Sequence, residues 1–517
     1  MKTKIILVLC LLLFFTVTSE AVEKIYFQPS LGYVTPQQYA SLVTGGVIGA
    51  GQDDTPAISA AIAAAGAGGT VFFPQIASGY LSTTGFTVST NTTLLGQATP
   101  WNNGSRIIFP ATLNGPGIKF TGGGTISHIT LSGAATGSTT NNSLVYINNC
   151  NGVTVDLCLF EGGYNAIYID GTSFYTTLES NTFWSNYNSQ LYVNSATAGG
   201  VDLIMHGNRF LAMPATGVYN AYFNGLGSLI GSDNMASGNL NPYGFYFDQP
   251  ASAFGAVDLS TTSIEVANSA GVSSGAAMYI NGSSGTPWTH MSFSDVLLNG
   301  FYNKALVINN AFKVSFKGGG FSSVNAGGNV YFPASASATD ITLENTSFDG
   351  SAATVPIQSS TCTALSLNLI NPIWTGSAAL LNLSATTGAN IAYMNAWGGN
   401  VGSAATPFLL PSGIAGPVNV SIPDSATALT AATSLAVPTL GSHFLVSGTT
   451  TIVNIATNGV WFGREITLLF TGTVTISNTG NIQLAGNSNM SAVNGSSLTL
   501  VCYPGASVWV QKSASVY

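Results

Sequence analysis

Two apolar residues flank a tyrosine at several places in the chain, and an asparagine or aspartate follows. The pattern occurs as NAIYIDG at 165–171, QLYVNSA at 190–196, NAYFNGL at 220–226 and GFYFDQP at 244–250, with fainter copies LVYINNC at 144 and NVYFPAS at 329. Period-two alternation of this kind predicts short β-strands. Because the first copies recur at intervals of 22 to 30 residues, the chain is expected to repeat one structural unit many times.

A second pattern of alternating residues runs in step with the first. It ends at Phe160 (VTVDLCLF), Phe183 (TTLESNTF), Phe210 (LIMHGNRF), Leu298 (MSFSDVLL), Phe321 (VSFKGGGF) and Phe348 (ITLENTSF). Strand repeats of 20 to 30 residues with Gly, Asn and Ser turns are typical of a solenoid, whose turns lie about 4.8 Å apart. We therefore predict an all-β protein, a right-handed parallel β-helix. The predicted core includes the terminal Phe or Leu of each copy and Val153, Leu178, Met205, Phe293, Phe316 and Leu343.

A short helix is predicted ahead of these repeats, in GAGQDDTPAISAAIAAAGAGGTVFFP at 49–74. Ile58, Ala61, Ile62 and Ala65 recur at helical spacing, Pro56 suits the first turn, and Asp54 or Thr55 can cap it. Asp53 and Asp54 could also be read as catalytic acids, but capping is the simpler role for them.

The same segment resembles the entry motif of the pectate-lyase-like β-helix superfamily, which includes rhamnogalacturonase- and epimerase-type enzymes and phage tailspikes. In that family a DDT, a short helix and a GGTVYFP recur. The resemblance implies a parallel β-helix whose open end the helix covers. The catalytic signatures of the family's pectin hydrolases, an NTD followed by a DD pair, a GHG and an RIK, are absent from the sequence, so the chemistry must be argued separately from the fold.

The chain divides into four expected parts. Residues 1–21 are a signal peptide and 22–423 the β-helix, in which the repeat spacing breaks and 249–290 are expected to form a β-rich insertion at the side of the solenoid. Residues 424–517 form a small all-β module of short strands. That module resembles the C-terminal modules of phage tailspike and tail-fibre proteins, which often join three chains, and the resemblance implies a homotrimer.

The signal peptide is predicted from MKTKIILVLCLLLFFTVTSEA, in which two lysines precede an apolar run and small residues stand at the cleavage site. A membrane anchor is the alternative, but about 13 apolar residues are short of the roughly 20 that a span needs. We expect a mature chain that begins near Val22 and is secreted. A cell-surface or virion location is the alternative, although a signal peptide is foreign to phage tailspikes.

The composition limits which classes of molecule this protein is expected to bind. Only 6% of residues are charged and 46% are hydrophobic, which predicts a large core and a neutral surface rich in hydroxyl and amide groups. The net charge of −8 without basic clusters argues against nucleic acid or an anionic membrane as the partner. Neither a metal-binding motif nor a cofactor motif is visible. The mature chain keeps four cysteines, Cys150, Cys158, Cys362 and Cys502; two disulfides are conceivable, but small buried side chains are the simpler interpretation.

Three polar residues stand four positions before the terminal Phe of successive repeats and are the candidate catalytic residues: Asp156, Glu179 and His206. Stacking would place the two carboxylates about 5 Å apart, the separation that retaining glycosidases use. His206 would then serve as a base or orient a sugar. The alternative is an ordinary outward column of polar residues with little energetic value. Lys317 and Glu344, in later repeats, are expected to form a surface pair.

The candidate substrate-binding residues follow the tyrosine pattern. We expect outward-facing rings at Tyr168, Tyr192, Tyr222 and Tyr246, and polar partners two residues later at Asp170, Asn194, Asn224 and Asp248. Exposed rings beside amide and carboxylate acceptors suit a neutral sugar chain. The alternative is a structural ladder of tyrosines, with Asn and Asp stabilising the turns. Arg209 could bind a uronate or sulfate group, and Trp184, placed in a turn after Phe183, is a further aromatic candidate.

Two functions from different classes fit these patterns. The first is recognition and depolymerisation of an extracellular polysaccharide by hydrolysis or lyase chemistry. The second is a non-enzymatic glycan-binding, adhesive or structural fibre protein, of prophage tailspike ancestry.

Overall fold

The structure is a computed structural model of the 517-residue chain. It describes residues 32–89, 91–97, 104–133, 142–195, 200–214, 217–248, 255–266, 275–283, 287–300, 304–323, 328–350, 354–401, 408–411, 414, 416–421, 428–437, 442–456, 463–503 and 508–516. The predicted signal peptide, 1–21, lies outside these residues. None of the helices in the described ranges is long and apolar enough to cross a membrane.

The fold is a right-handed parallel β-solenoid of about 13 turns with a small β module at the C-terminus. Each turn contributes one strand to each of three parallel sheets, which we call sheets A, B and C. The chain separates into two compact units, residues 1–190 and residues 191–517, and each is described by itself.

The first unit begins with a 3-10 helix, Pro36–Leu42, and an α-helix, Thr55–Ala65. Its sheet A contains Tyr33–Val34, Thr70–Phe73, Thr92–Gly96, Gly124–Ser127, Val153–Asp156 and Ser173–Glu179. Its sheet B contains Tyr80–Leu81, Ser105–Phe109, Ile129–Gly133, Leu159–Glu161 and Thr182–Trp184. Its sheet C contains Phe86–Val88, Ile118–Phe120, Ser143–Asn148 and Asn165–Asp170.

The second unit continues the same architecture after the strand Ser189–Asn194, which contains the boundary between the units. Its sheet A contains Val201–His206, Leu226–Ser232, Ala256–Ser260, Trp288–Ser294, Ala311–Lys317, Ser337–Glu344, Ala364–Ile370, Ile391–Trp397 and Val418–Ser421. Its sheet B contains Arg209–Leu211, Met235–Asn239, Ser263–Val266, Leu297–Asn299, Gly320–Ser323, Ser347–Gly350, Ile373–Trp374 and Asn400–Val401. Its sheet C contains Tyr219–Asn224, Tyr243–Asp248, Ala276–Asn281, Lys304–Asn309, Val330–Phe332, Ile357–Ser359, Leu381–Asn382 and Phe408–Leu409, and a 3-10 helix spans Gly388–Asn390.

The C-terminal module belongs to the second unit and has its own core, which includes Phe444, Leu468 and Trp509. Its six-stranded mixed sheet runs in the order Ala428–Thr430, His443–Ser447, Glu465–Phe470, Ser497–Tyr503, Val508–Ser515 and Ile482–Gln483. Two small sheets pair Ser434–Leu435 with Asn454–Ile455 and Val474–Ile476 with Met490–Ala492, and a 3-10 helix spans Ala485–Asn487.

The predicted core is confirmed. Val153, Leu178, Met205, Phe293, Phe316 and Leu343 are at most 1% exposed, and the terminal Phe or Leu of every repeat is buried. Successive turns stack identical side chains, as Phe160 does on Phe183 with ring centroids 5.0 Å apart. Such stacks lie within the range that aromatic pairs prefer, so the repeat stabilises itself turn by turn.

In two neighbouring turns of the first unit, one residue with positive φ makes the bend between sheets A and B, and a buried asparagine follows the second of them. Leu157 and Ser180 occupy the bend with φ of 49° and 53°. Asn181, fully buried, accepts a hydrogen bond from the backbone N–H of Cys158 at 3.0 Å and donates one to the carbonyl of Val155 at 2.8 Å. The side-chain amide thus satisfies backbone groups that the bend removes from the sheets.

The predicted helix is present, and Ile58, Ala61 and Ile62 are buried. The expected capping by Asp54 is wrong, because its carboxylate makes no cap hydrogen bond. Instead, Asp54 accepts hydrogen bonds from the N–H groups of Gly49 and Leu81, and burial raises its pKa. These bonds tie the loop before the helix to the first strand of sheet B.

The carboxylate of Asp53 accepts a hydrogen bond from the first residue of the helix. Its Oδ1 accepts hydrogen bonds from the N–H groups of Thr55 and Thr83, both at 3.1 Å. Burial alone would raise the pKa of Asp53, but these bonds and the Thr55 hydroxyl outweigh it and lower the pKa. Asp53 thus bonds the first residue of the helix, whereas Asp54 bonds the loop before the helix and the first strand of sheet B.

The expected lateral insertion at 249–290 is wrong for the described part of that segment. Ala256–Ser260 pairs with sheet A strands on both sides, and Ser263–Val266 and Ala276–Asn281 do the same in sheets B and C. The segment is a regular turn of the solenoid. Sequence spacing failed here because more residues separate its strands, while the inward positions Val257, Leu259 and Ile264 remain apolar and buried.

The four cysteines expected in the mature chain are buried and free. Burial raises the pKa of Cys158 to about 12 and that of Cys502 to about 11. They behave as small core side chains, as predicted.

Candidate functional site

Two carboxylates lie side by side on the outer surface of sheet A in the first unit. Asp156 and Glu179 end neighbouring parallel strands and are direct register partners. The residues before them, Val155 and Leu178, are fully buried, so alternation turns both carboxylates outward, with Asp156 half-buried and Glu179 exposed. Adjacent strands are about 4.8 Å apart, so the first two predicted catalytic residues are brought together.

The serine that ends the preceding strand and the histidine that follows it extend this pair. Ser127 is the register partner of Asp156 on the other side, and its hydroxyl donates to Asp156 Oδ2 at 3.1 Å. His128 Nδ1 lies 2.6 Å from the same hydroxyl oxygen. Because a hydroxyl has a single proton, which goes to Asp156, Nδ1 must be the donor in the second contact. Sequence reasoning missed both residues because GTISHITL, whose Leu131 is the register partner of Phe160, was not counted among the copies.

Sheet B of the same unit presents a second acid, Glu161, next to an exposed indole. Glu161 Oε1 is 2.6 Å from Arg106 Nη2, which also donates to Ser132 Oγ at 2.8 Å. Trp184 is the register partner of Glu161 and is 42% exposed. Trp184 ends the strand Thr182–Trp184 and does not lie in a turn as expected. Glu161 was missed, although it follows Phe160 just as Trp184 follows Phe183.

The remaining predicted polar residues belong to the second unit. His206 ends its sheet A strand, half-buried, with Nδ1 3.0 Å from Ser232 Oγ. That hydroxyl donates to Asp233 Oδ2 at 2.8 Å, and the hydrogen bond from Thr261 is the first cause of the lowered pKa of Asp233. Arg209 is exposed at the start of its sheet B strand. The roles predicted for His206 and Arg209 stay predictions.

The tyrosines of the second unit form a continuous stack on the outer side of sheet C. Tyr192, Tyr222, Tyr246 and Tyr279 follow one another with ring centroids 4.6, 5.7 and 4.9 Å apart and planes within 13–21° of parallel. We call these four residues the tyrosine ladder. Tyr219 and Tyr243 pack against its edge. Tyr279 was missed because its segment was assigned to the expected insertion.

The expectation of exposed rings is wrong for two of the predicted tyrosines. Tyr168 is 7% exposed and Tyr222 is 9% exposed, while Tyr192 and Tyr246 are half-buried. The rings point away from the solenoid core, but each interior ring covers the faces of its neighbours. A sugar therefore meets ring edges and hydroxyl groups here, not open ring faces. Burial raises the pKa of Tyr219 to about 12, so its hydroxyl keeps its proton.

The predicted polar partners hold the tyrosines and one another. In the first unit, Tyr146 donates to Asp170 Oδ2 at 3.2 Å and stacks on Tyr168. In the second unit, Tyr222 donates to Asp248 Oδ2 at 2.9 Å, and Asn224 donates to Asn194 at 2.9 Å. These hydrogen bonds agree with the alternative in which the tyrosines form a structural ladder. Sugar binding by the same residues stays a prediction.

No group of three or more metal-ligating side chains occurs within the described ranges.

Comparison with known proteins adds a statement about the fold. No protein-family model matches the sequence, and no curated protein matches it. Among solved structures, the A-module of the mannuronan C-5 epimerase AlgE6 from Azotobacter vinelandii is 15% identical over 68% of this chain and 98% of its own, with a TM-score of 0.47.

Two further solved structures are similar at the same level. The Dettilon tailspike protein is 13% identical over 91% of this chain and 78% of its own, with a TM-score of 0.46. The catalytic unit of a GH87 α-1,3-glucanase from Streptomyces thermodiastaticus is 14% identical over 76% and 68%, with a TM-score of 0.40. These solved structures are pectate-lyase-like β-helix proteins.

Proposed function

We propose that this protein recognises an extracellular polysaccharide on the outer surface of sheets A and B in its first unit, and that Asp156 and Glu179 hydrolyse it. The observation that carries the proposal is the register pairing of these two outward carboxylates. Isolated acids on a chain with 6% charged residues are common surface features; two adjacent ones beside a hydrogen-bonded serine and histidine are not.

The spacing favours hydrolysis with retention at the anomeric carbon. Retaining glycosidases hold their two carboxyl groups about 5–5.5 Å apart, close to the spacing of adjacent strands. Ser127 orients Asp156, which we assign as the nucleophile that displaces the leaving sugar and forms a glycosyl ester. Glu179, with its longer side chain, protonates the departing oxygen. It then takes a proton from the water that cleaves the ester.

Substrate binding in this proposal uses the neighbouring face of sheet B. The exposed indole of Trp184 offers a surface for the C–H face of a sugar ring. The ion pair of Glu161 and Arg106 offers acceptors and donors for hydroxyl groups. A surface of this kind binds glycans through many neutral contacts and needs no strong net charge.

Replacement of one carboxylate tests the proposal. Polysaccharides that bind the secreted protein on a glycan array are incubated with wild type and Glu179→Gln, and new reducing ends and unsaturated uronates are measured. We expect wild type to release reducing ends, and Glu179→Gln to lower that rate at least about 100-fold with binding unchanged, since proton transfer is lost. Glu344→Gln is the matched control, because Glu344 ends a sheet A strand in the same way and pairs with Lys317 at 3.6 Å.

Full activity of Glu179→Gln would reject the catalytic assignment. Unsaturated uronates formed together with the new reducing ends would replace hydrolysis by a lyase reaction, because β-elimination also frees a reducing end.

Glycan binding without catalysis is the second candidate, and the second unit carries the observation that favours it. Tyrosine hydroxyls and amides form a row along sheet C, in which Asn281 donates to Asp248 at 3.0 Å and Asn309 donates to Asn281 at 2.8 Å. Such a row suits a long neutral chain. If this candidate is correct, bound polysaccharides stay intact in the wild-type protein.

A further inference from the structure

A polar groove lies within the second unit, where the last strands of sheet A meet the C-terminal sheet. Its volume is about 490 Å³, and it is lined by Trp397, Asn419, Ser442, His443, Gly463, Glu465 and Thr467. This volume falls within the roughly 300–1,000 Å³ of small-molecule sites. The functions considered above use none of these residues.

The wall on the solenoid side presents an indole to solvent. Trp397 ends the strand Ile391–Trp397, in which Met394 and Ala396 point into the core and are fully buried. Alternation therefore turns Trp397 outward, and it is 53% exposed. Exposure of this apolar ring to water is unfavourable, and the ring does not contribute to the core. Its exposed surface can instead cover one apolar face of a ligand.

A row of amides reaches the groove from the same sheet. Asn395 donates to Asn368 Oδ1 at 2.7 Å, and Asn419 donates to Asn395 Oδ1 at 2.9 Å. Each of these two amides donates a hydrogen bond to the amide before it in the row. Asn419, the last of them, lies exposed in the groove wall. The row therefore holds the Asn419 side chain in one orientation, with its carbonyl oxygen as an acceptor.

The opposite wall is the outer face of the C-terminal sheet. His443 and Thr467 are register partners there, and the Ser442 hydroxyl lies 2.9 Å from His443 Nδ1. Thr467 Oγ1 lies 3.0 Å from Thr499 Oγ1. Hydroxyl and imidazole groups on this wall supply both donors and acceptors.

The charge in the groove is balanced. Glu465 is paired with Lys512, whose Nζ lies 2.6 Å from Glu465 Oε2. A phosphate or sulfate would meet the carboxylate of Glu465, and an apolar ligand would leave the polar wall unpaired. A ligand with hydroxyl groups around one apolar face satisfies both walls.

We propose that this groove binds one neutral sugar unit, with its C–H face on Trp397 and its hydroxyl groups on Asn419, His443 and Thr467. The site is separate from Asp156 and Glu179 and does not depend on hydrolysis by them. A polysaccharide unit held here would stay bound whether or not the first unit cleaves the chain.

Saturation-transfer NMR of the secreted full-length protein tests the site. The probes are glucose, galactose, mannose, N-acetylglucosamine and fucose, each at millimolar concentration. We expect at least one of them to bind, and Trp397→Ala to weaken that binding at least about fivefold through loss of the stacking surface. Thr467→Val, which keeps the side-chain shape, should weaken it as well.

Tyr503→Ala is the matched control, because Tyr503 is a 52% exposed aromatic residue of the same sheet outside the groove. It should bind as wild type does, and Glu179→Gln should too, which separates this site from the proposed catalytic one. Circular dichroism confirms that each variant is folded. The proposal is overturned if no probe sugar binds, or if Trp397→Ala and Thr467→Val both bind as wild type.

Discussion

Single residues at the bends determine how the strands of this chain are joined. One residue with positive φ follows each of three successive sheet A strands in the first unit: His128, Leu157 and Ser180. The buried amide of Asn181 then replaces the hydrogen bonds that the bend removes. Non-glycine residues seldom adopt positive φ, and here the surrounding sheet bonds hold them in it. The outward residue before each bend, Asp156 or Glu179, is thereby held in a repeated position.

The cysteines give a prediction at the same scale. Burial raises the pKa of Cys158 to about 12, so at pH 8 only about one thiol in 10⁴ is the reactive thiolate. Burial raises the pKa of Cys502 to about 11 in the same direction. We expect iodoacetamide at pH 8 to leave the native protein unmodified, and to modify all four cysteines of the mature chain in denaturant, as counted by intact mass. Rapid modification of a cysteine in the native protein would contradict this.

The tyrosine ladder is the element whose sequence pattern is most conspicuous and whose role depends most on packing. Each tyrosine stands outward on its own strand, and only the stacking of neighbouring turns covers its faces. Tyr222 also donates a hydrogen bond to Asp248. Stacked pairs contribute about 0.5–1.5 kcal/mol each beyond the area that they bury. The ladder therefore stabilises the second unit, whether or not its hydroxyl edge binds a glycan.

Removal of one ring should destabilise the protein. We expect Tyr222→Ala to lower the free energy of unfolding by about 3 kcal/mol, because it removes a nearly buried ring between two others and leaves Asp248 without its phenol donor. The measurement is the thermal unfolding transition followed by circular dichroism. Tyr187→Ala, at a 42% exposed tyrosine of the first unit, is the control and should change little. An unchanged transition for Tyr222→Ala, with lost glycan binding, would favour a binding role alone.

At the scale of the whole molecule, stacked turns of the solenoid satisfy the hydrogen-bonding groups of each other's backbone. The C-terminal module follows the solenoid in the chain and forms a sheet of its own. The resemblance of that module to those of tailspike and tail-fibre proteins is the basis for the predicted homotrimer. Sedimentation of the protein at micromolar concentration is expected to give about three times the mass of one chain, which is 53.0 kDa before any processing. A single-chain mass would contradict the prediction.

Most of the fold could be predicted because the repeat is written in local patterns. The inward positions Val153, Leu178 and Met205 are apolar in every copy, so alternation alone placed them in the core. The solenoid turn formed by Ala256–Ser260, Ser263–Val266 and Ala276–Asn281 was missed because more residues separate its strands than in the other repeats. This changed the spacing of the repeat but not the alternation within each strand. Strand pairing depends on the alternation, not on the spacing.

The candidate site was predictable only where it follows that alternation. The offset from the terminal Phe placed Asp156 beside Glu179, because the turns stack in register. Ser127 donates to Asp156, and His128 contacts Ser127, from a repeat that was not counted among the copies. The groove at Trp397 combines the last turns of the solenoid with strands of the C-terminal module, which no repeat in the sequence connects.

By itself, the sequence determined the direction in which each side chain points, because period-two alternation of apolar and polar residues leaves a strand only one face to bury. It also determined the helix Thr55–Ala65 and the chemistry available on the surface. Only the tertiary structure decided which outward residues are exposed. Tyr222 is covered by rings from neighbouring turns, whereas Trp397, equally outward, is not. The exposure of a side chain depends on which residues pack against it, and those residues are distant in sequence.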